Sequence, residues 1–113
     1  MATYTVTLLM SSGDPDPTWT LDEAQAEAFI ARVAASDPSN TVHNPPTRRP
    51  GYAGIMVRTG GGERWVVFRG WIYGAIPRVD ERRVLEQWLL DTGAGTVPSK
   101  LAADLTRQIT PPA

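Results

Sequence analysis

Residues 52–74 spell YAGIMVRTGGGERWVVFRGWIYG, in which two apolar runs stand on either side of three consecutive glycines. Valine, isoleucine and aromatic residues favour extended strands. Glycine supplies the positive φ angles that a tight hairpin turn needs. The pattern therefore predicts two antiparallel strands joined by a glycine turn, and this hairpin is the clearest structural signal in the chain.

The pairing register of this hairpin determines which side chains face the protein core. We expect the turn to centre on Gly61 and Gly62, so that Arg58 lies opposite Trp65. A slip by one residue would set Arg58 opposite Arg64, and like charges directly opposite each other destabilise a sheet. The favoured register predicts a core face formed by Ile55, Val57, Val66, Phe68 and Ile72.

The other face of the hairpin is unusually aromatic for a surface exposed to water. Three explanations are open: a second layer covers it, it binds another protein, or it stacks the bases of a single nucleic-acid strand. Tryptophan, tyrosine and arginine are enriched at the energetic centres of protein interfaces. The sequence thus predicts a partner-binding face with Tyr52, Arg58, Trp65, Arg69, Trp71 and Tyr73 as its binding residues.

The remaining elements are predicted from the spacing of apolar residues and from residues that typically begin or end helices. Alternation from Thr3 to Leu8 predicts a strand, and Thr20 with Glu23 three residues later predicts the capping box of a helix. Residues 80–93, DERRVLEQWLLDTG, predict a second helix capped by Asp80, and a third helix is expected from about Pro98 to Ile109. The apolar stripe expected for the first helix consists of Ala26, Phe29, Ile30 and Val33.

The element order β-α-β-β-α-α predicts an α+β fold. We expect a small antiparallel sheet of about three strands with the helices packed on one face. The 113 residues correspond to a single domain, 1–113, interrupted by a proline-rich loop over residues 37–51.

Residues 89–95, LLDTGAG, resemble the Asp-Thr-Gly motif of aspartic proteases. In that family the motif lies between strands, and a glycine-rich flap follows it. Here it follows a segment with helical periodicity, and only a predicted helix comes after it. Asp91 is therefore expected in the last turn of a helix and Gly93 at its C-cap, without a catalytic role.

Composition narrows the possible functions. The formal net charge of −1 argues against a dedicated binder of duplex nucleic acid. The absence of cysteine excludes disulfides and thiolate metal sites, and we expect neither a metal nor a cofactor. No signal peptide or membrane span is predicted, which favours a cytoplasmic protein. All basic residues except Lys100 are arginine, a bias typical of bacteria with GC-rich genomes.

The leading hypothesis is a non-enzymatic protein-binding domain, such as an accessory protein, an inhibitor or immunity-type partner, or a subunit of an assembly. A homodimer through the aromatic face is one form of this hypothesis. One alternative is a small hydrolase or isomerase that uses His43 with an aspartate from a loop. A second alternative is single-strand nucleic-acid binding on the aromatic face. Arg48 and Arg49 are candidate contacts for an anion.

Overall fold

The computed structural model of this chain describes residues 3–10, 16–38 and 51–109. These ranges form an antiparallel sheet of six strands and three α-helices, so the predicted α+β class is confirmed and the predicted sheet of about three strands is wrong. The elements in chain order are β1 (Tyr4–Leu8), β2 (Thr18–Thr20), α1 (Glu23–Ala35), β3 (Ile55–Thr59), β4 (Arg64–Phe68), β5 (Trp71–Tyr73), β6 (Arg78–Val79), α2 (Val84–Thr92) and α3 (Ser99–Ile109).

The strands missed by the sequence analysis are the short ones. The sheet order is β2-β1-β3-β4-β5-β6, which places a strand of three residues at one edge and a strand of two residues at the other. Strands of two or three residues are too short to show an alternating pattern. Trp19, for example, lies in β2 opposite Val6.

The register of the β3–β4 hairpin differs by one residue from the predicted one. Arg58 lies opposite Arg64, and Val57 lies opposite Trp65. The turn contains three residues between Thr59 and Glu63, and the backbone N–H of Gly62 donates to the Thr59 carbonyl over 3.2 Å. Gly62 has a φ of 94°, as expected for the last position of a three-residue hairpin loop. Both arginines are exposed, so water screens their mutual repulsion.

This register redistributes the hairpin side chains between the two faces of the sheet. Trp65 and Val67 lie on the face that packs against the helices, whereas Val66 and Phe68 lie on the opposite one, contrary to the predicted register. Phe68 is nevertheless buried, as predicted, with its ring centroid 5.5 Å from that of Tyr52. The helix-facing side chains are Tyr4, Val6, Leu8, Trp19, Ile55, Val57, Thr59, Trp65, Val67, Ile72 and Arg78. The opposite side, here called the open face, carries Thr5, Thr7, Thr18, Thr20, Met56, Arg58, Arg64, Val66, Phe68, Trp71, Tyr73 and Val79.

Helix α1 begins two residues later than predicted. Asp22 is its N-cap: the carboxylate accepts the backbone N–H of Gln25 at 2.8 Å, and the Gln25 side chain accepts the N–H of Asp22 at 3.0 Å. This reciprocal pair is a capping box of the predicted type, formed by different residues. Phe29 inserts from α1 into the core, and its ring centroid lies 5.2 Å from that of Trp65.

Helix α2 starts after a 3-10 turn over Glu81–Arg83. Helix α2 therefore begins three residues later than predicted, and Arg83 occupies its N-cap position in place of Asp80. The Asp80 carboxylate still binds the start of the helix, since it accepts the backbone N–H groups of Leu85 at 2.8 Å and Glu86 at 2.9 Å. The helix ends at Thr92 with Gly93 as its C-cap, which confirms the predicted positions of Asp91 in the last turn and of Gly93 at the cap. Helix α3 packs against α2 and buries Leu105 and Ile109.

Gly93 is required for close packing and not for its backbone conformation. Its φ of −87° is accessible to any residue. A Cβ atom at this position, however, would lie 2.7 Å from the indole ring of Trp19. The same indole donates its Nε1–H to the hydroxyl of Thr92 over 2.9 Å, which holds β2 to the end of α2.

We expect Gly93→Ala to lower the free energy of unfolding by about 1–3 kcal/mol, because the added methyl group overpacks the contact with Trp19. Urea denaturation followed by tryptophan fluorescence measures the change. Gly60→Ala is the control, since a Cβ there meets no atom within 4 Å. An equal effect of both substitutions would contradict the packing argument.

Candidate binding surfaces

The structure separates the predicted binding residues into different environments. Arg58, Trp71 and Tyr73 lie on the open face. Tyr52 is buried, and Trp65 points towards the helices. Arg69 lies in the β4–β5 turn. His43, Arg48 and Arg49 lie outside the described residues, as does most of the predicted proline-rich loop.

Trp65 is part of the hydrophobic core. Its ring stacks on Tyr4 with a centroid distance of 6.4 Å and an interplanar angle of 16°, and it meets Phe29 edge-on. These contacts join β4 to β1 and α1. Trp65 therefore stabilises the fold, and the prediction that it shares a face with Trp71 is wrong.

Tyr52 belongs to a buried polar cluster at the end of the sheet. Its hydroxyl donates to one carboxylate oxygen of Glu86, and the backbone N–H of Arg69 donates to the other over 2.9 Å. The Glu86 side chain is fully buried. Asp80 completes the cluster, since its backbone N–H donates to the Gly70 carbonyl over 2.8 Å while its carboxylate binds the start of α2.

This cluster holds the β4–β5 turn in a demanding conformation. Arg69 and Gly70 have φ angles of 49° and 90°, the left-handed pair that a two-residue hairpin turn requires. A left-handed conformation costs about 1–2 kcal/mol in a residue other than glycine. The hydrogen bond from the Arg69 N–H to Glu86 helps to offset that cost.

Burial shifts the ionisation of the cluster. Desolvation raises the pKa of Glu86 to about 7; the Tyr52 hydroxyl and the Arg69 N–H oppose the shift, and the negative charge of Asp80 adds to it. Desolvation also raises the pKa of Asp80, against the two backbone N–H groups at the start of α2 and the charge of Arg32. Burial and the adjacent Glu86 raise the pKa of Tyr52 above its ordinary value.

The open face is organised in rows across the strands. Threonines pair directly across β1 and β2, as Thr7 with Thr18 and Thr5 with Thr20. Beyond them one row consists of Met56, Val66 and Tyr73, all partly exposed. The next row contains Trp71 and Val79, both partly exposed, and Phe68, which is buried against Tyr52. One half of the face is therefore threonine-rich, and the other half is apolar and aromatic.

Arginines border the apolar half of the open face. Arg58 and Arg64 lie opposite each other at one end, beside a pocket of about 500 Å³ that Glu63 and Trp65 also line. At the other end the guanidinium of Arg69 lies 5.0 Å from the ring centroid of Phe68. Within the described part of the chain, no carboxylate forms an ion pair with these three arginines.

A second set of arginines surrounds the start of α2. Arg32 and Arg82 line a pocket of about 520 Å³, and the neighbouring pocket of about 380 Å³ also includes Arg83. Asp37 and Glu81 share the first pocket and Asp91 the second, so the lining has mixed charge. The Arg32 guanidinium lies 5.0 Å from the Trp88 ring centroid, which assigns it a packing role.

Across residues 3–10, 16–38 and 51–109, no group of three or more histidine, cysteine, aspartate or glutamate side chains is placed to hold a metal ion. No helix in the described part of the chain has the length and apolar character that crossing a membrane requires. Comparisons with protein-family models, with curated proteins and with solved structures found no match.

The Asp80–Glu86–Tyr52 cluster was not predicted from the sequence. Glu86 stands between Leu85 and Gln87 in α2, and nothing in the local pattern distinguishes it from a solvated glutamate. The position of Glu86 on the core-facing side of the helix was the one signal that could have indicated its burial. Glu86 lies one residue from Leu85 and three from Leu89, both of which face the core.

We expect the stability of the protein to fall as pH rises through the interval between the ordinary pKa of glutamate, 4.5, and the folded-state pKa of Glu86, about 7. In this interval the folded protein retains a proton that the unfolded chain releases, so rising pH favours unfolding, by about 3 kcal/mol in total. Glu86→Gln removes this contribution, because a buried amide does not titrate.

Urea denaturation of the two proteins at pH 5 and pH 8 tests this expectation. The change in unfolding free energy between the two pH values that remains in Glu86→Gln comes from Asp80 and the other titrating groups. The difference in this change between the two proteins therefore measures the contribution of Glu86. Parallel pH profiles would contradict the assignment of a raised pKa to this carboxyl group.

Proposed function

We propose that this chain is a protein-binding domain whose open face recognises an acidic surface of another protein. The observation that carries the proposal is the pairing of Arg58 with Arg64 across β3 and β4, next to the partly exposed row of Met56, Val66 and Tyr73. An acidic group placed between the two guanidinium groups would relieve their repulsion and accept charge-assisted hydrogen bonds.

The composition of the face supports a protein partner more than a nucleic-acid strand. Its central row of Met56, Val66 and Tyr73 is apolar apart from one hydroxyl, and such a row suits the fully desolvated centre of a protein interface. A nucleic acid needs positive charge along the path of its backbone and polar groups that read base edges.

A second copy of this chain fits the face less well than a different acidic protein. The symmetric interface of a homodimer must be complementary to itself. Three arginines border the apolar half of the open face, and among the described residues that form this face none is acidic. The carboxylates that bind these arginines must therefore come from a surface other than a second open face.

The proposal is tested by capturing proteins on the immobilised domain from cells that naturally produce it. We compare the wild type with Arg58→Glu/Arg64→Glu, and with Lys100→Glu/Arg107→Glu as a control of equal charge change on exposed positions of α3. Proteins retained by the wild type and the control should be lost from the face variant. The affinity for a purified partner should fall about tenfold or more.

Two results would overturn this function. If the wild type and both variants retain the same proteins, the open face is not the binding site. If no protein is specifically retained, protein binding is not the function of this domain. A third result would change the class of partner. If a single-stranded oligonucleotide binds in a salt-sensitive way and Arg58→Glu/Arg64→Glu abolishes this binding, the open face binds a nucleic acid and not a protein.

A further inference from the structure

A second surface lies on the helical side of the molecule, next to α1. A groove of about 680 Å³ runs between this helix and the segment that joins β2 to it. Tyr4, Leu21, Ala26 and Ile30 form its apolar floor. The Ile30 side chain is 39% exposed, although large hydrophobic side chains in the described ranges are mostly buried.

The groove exists because the apolar side of α1 is wider than the part that the sheet covers. Phe29 and Val33 are buried against the sheet, with 0% and 9% exposure. Ala26, Ile30 and Ala34 follow one another at four-residue intervals along the neighbouring strip of the helix, which faces the groove. Exposed apolar patches with a polar rim mark interaction sites or ligand-binding grooves.

The rim of the groove is acidic. Glu23 and Glu27 lie four residues apart along the groove side of α1, where two like charges destabilise a helix slightly. Within the described residues neither carboxylate forms an ion pair. Asp22 adds a third carboxylate at the same end, although one of its oxygens already caps the helix.

These observations select one kind of occupant. An apolar floor with an acidic rim complements a helix that has leucine-like residues on one side and lysine or arginine flanking them. The small side chains of Ala26, Ala31 and Ala34 allow the backbone of such a helix to approach closely. Ala26 and Ala34 are eight residues apart, about 12 Å along the axis, which corresponds to a little over two helical turns.

We propose that the α1 groove is a docking site for a basic amphipathic helix of a partner protein. This site is separate from the open face, which lies on the other side of the sheet and prefers the opposite charge. The apolar floor supplies most of the affinity, and the acidic rim selects a basic partner and sets its orientation.

The proposal can be tested with a synthetic peptide, because its claim concerns a class of ligand. The probe is a helical peptide of about 18 residues with leucines at positions i, i+3, i+4 and i+7 and with lysine and arginine elsewhere. One control peptide has glutamate in place of each basic residue, and another has the same composition in scrambled order. Binding is measured by calorimetry and by amide chemical-shift changes.

We expect the basic peptide to bind the wild-type protein and to shift the amide signals of Ala26, Ile30 and Ala34, but not those of Trp71 and Tyr73. Glu23→Gln/Glu27→Gln should weaken binding about tenfold. Ile30→Lys should weaken it by a similar or larger factor. Glu63→Gln/Glu81→Gln, which removes two exposed carboxylates elsewhere, should leave the affinity unchanged.

The absence of binding to the wild type would overturn the proposal, as would equal binding of the basic and acidic peptides. Equal weakening by both pairs of glutamate substitutions would show attraction by net charge alone and would also overturn it. Amide chemical-shift changes at Trp71 and Tyr73 in place of Ile30 would place the peptide on the open face and would likewise overturn the proposal. The function proposed for the open face is unaffected by the first three outcomes.

Discussion

The three-residue turn between Thr59 and Glu63 sets the register of the central hairpin, and the division of the molecule into two faces depends on it. In an antiparallel sheet, a register shift of one residue moves every side chain of the shifted strand to the opposite face of the sheet. With the observed loop, Trp65 and Val67 enter the core, and Phe68 lies on the opposite side. The contact of Trp65 with Tyr4 and Phe29, which holds α1 on the sheet, follows from this register.

The buried carboxylates at the other end of the sheet have a different role. Glu86 and Asp80 bind backbone N–H groups that belong to the β4–β5 turn and to the start of α2, and Tyr52 contributes one side-chain hydroxyl. Burying these carboxylates costs desolvation energy, and their hydrogen bonds to backbone N–H groups help to offset that cost. Here they specify where α2 begins relative to the sheet.

Sequence periodicity predicted the long elements well. The strand β1, the helices α1 and α3 and the C-cap at Gly93 were predicted correctly, because each depends on local physical preferences, although Ile30 of the predicted α1 stripe is exposed. The short strands β2, β5 and β6 form because their neighbours are in place, and this cause is not local. The hairpin register was predicted incorrectly because the repulsion between Arg58 and Arg64 was weighed as if the pair were shielded from water.

The candidate site was predicted in part. Arg58, Trp71 and Tyr73 share the open face, and the guanidinium of Arg69 reaches it by lying over Phe68. Trp65 and Tyr52 were assigned to it from composition, but their positions depend on the register and on a partner, Glu86, that lies 34 residues away in the chain. Long-range polar contacts of this kind leave no periodic signal.

The brevity of the outermost strands limits how another chain can associate with this sheet. Strand β2 offers three residues at one edge; at the other, β6 offers two, and the N–H of Val79 is already used by the carbonyl of Asp37. Few unpaired backbone groups are thus presented in a row, which leaves little template for an added strand or for growth into fibrils. Association by side chains is the route that this architecture leaves open.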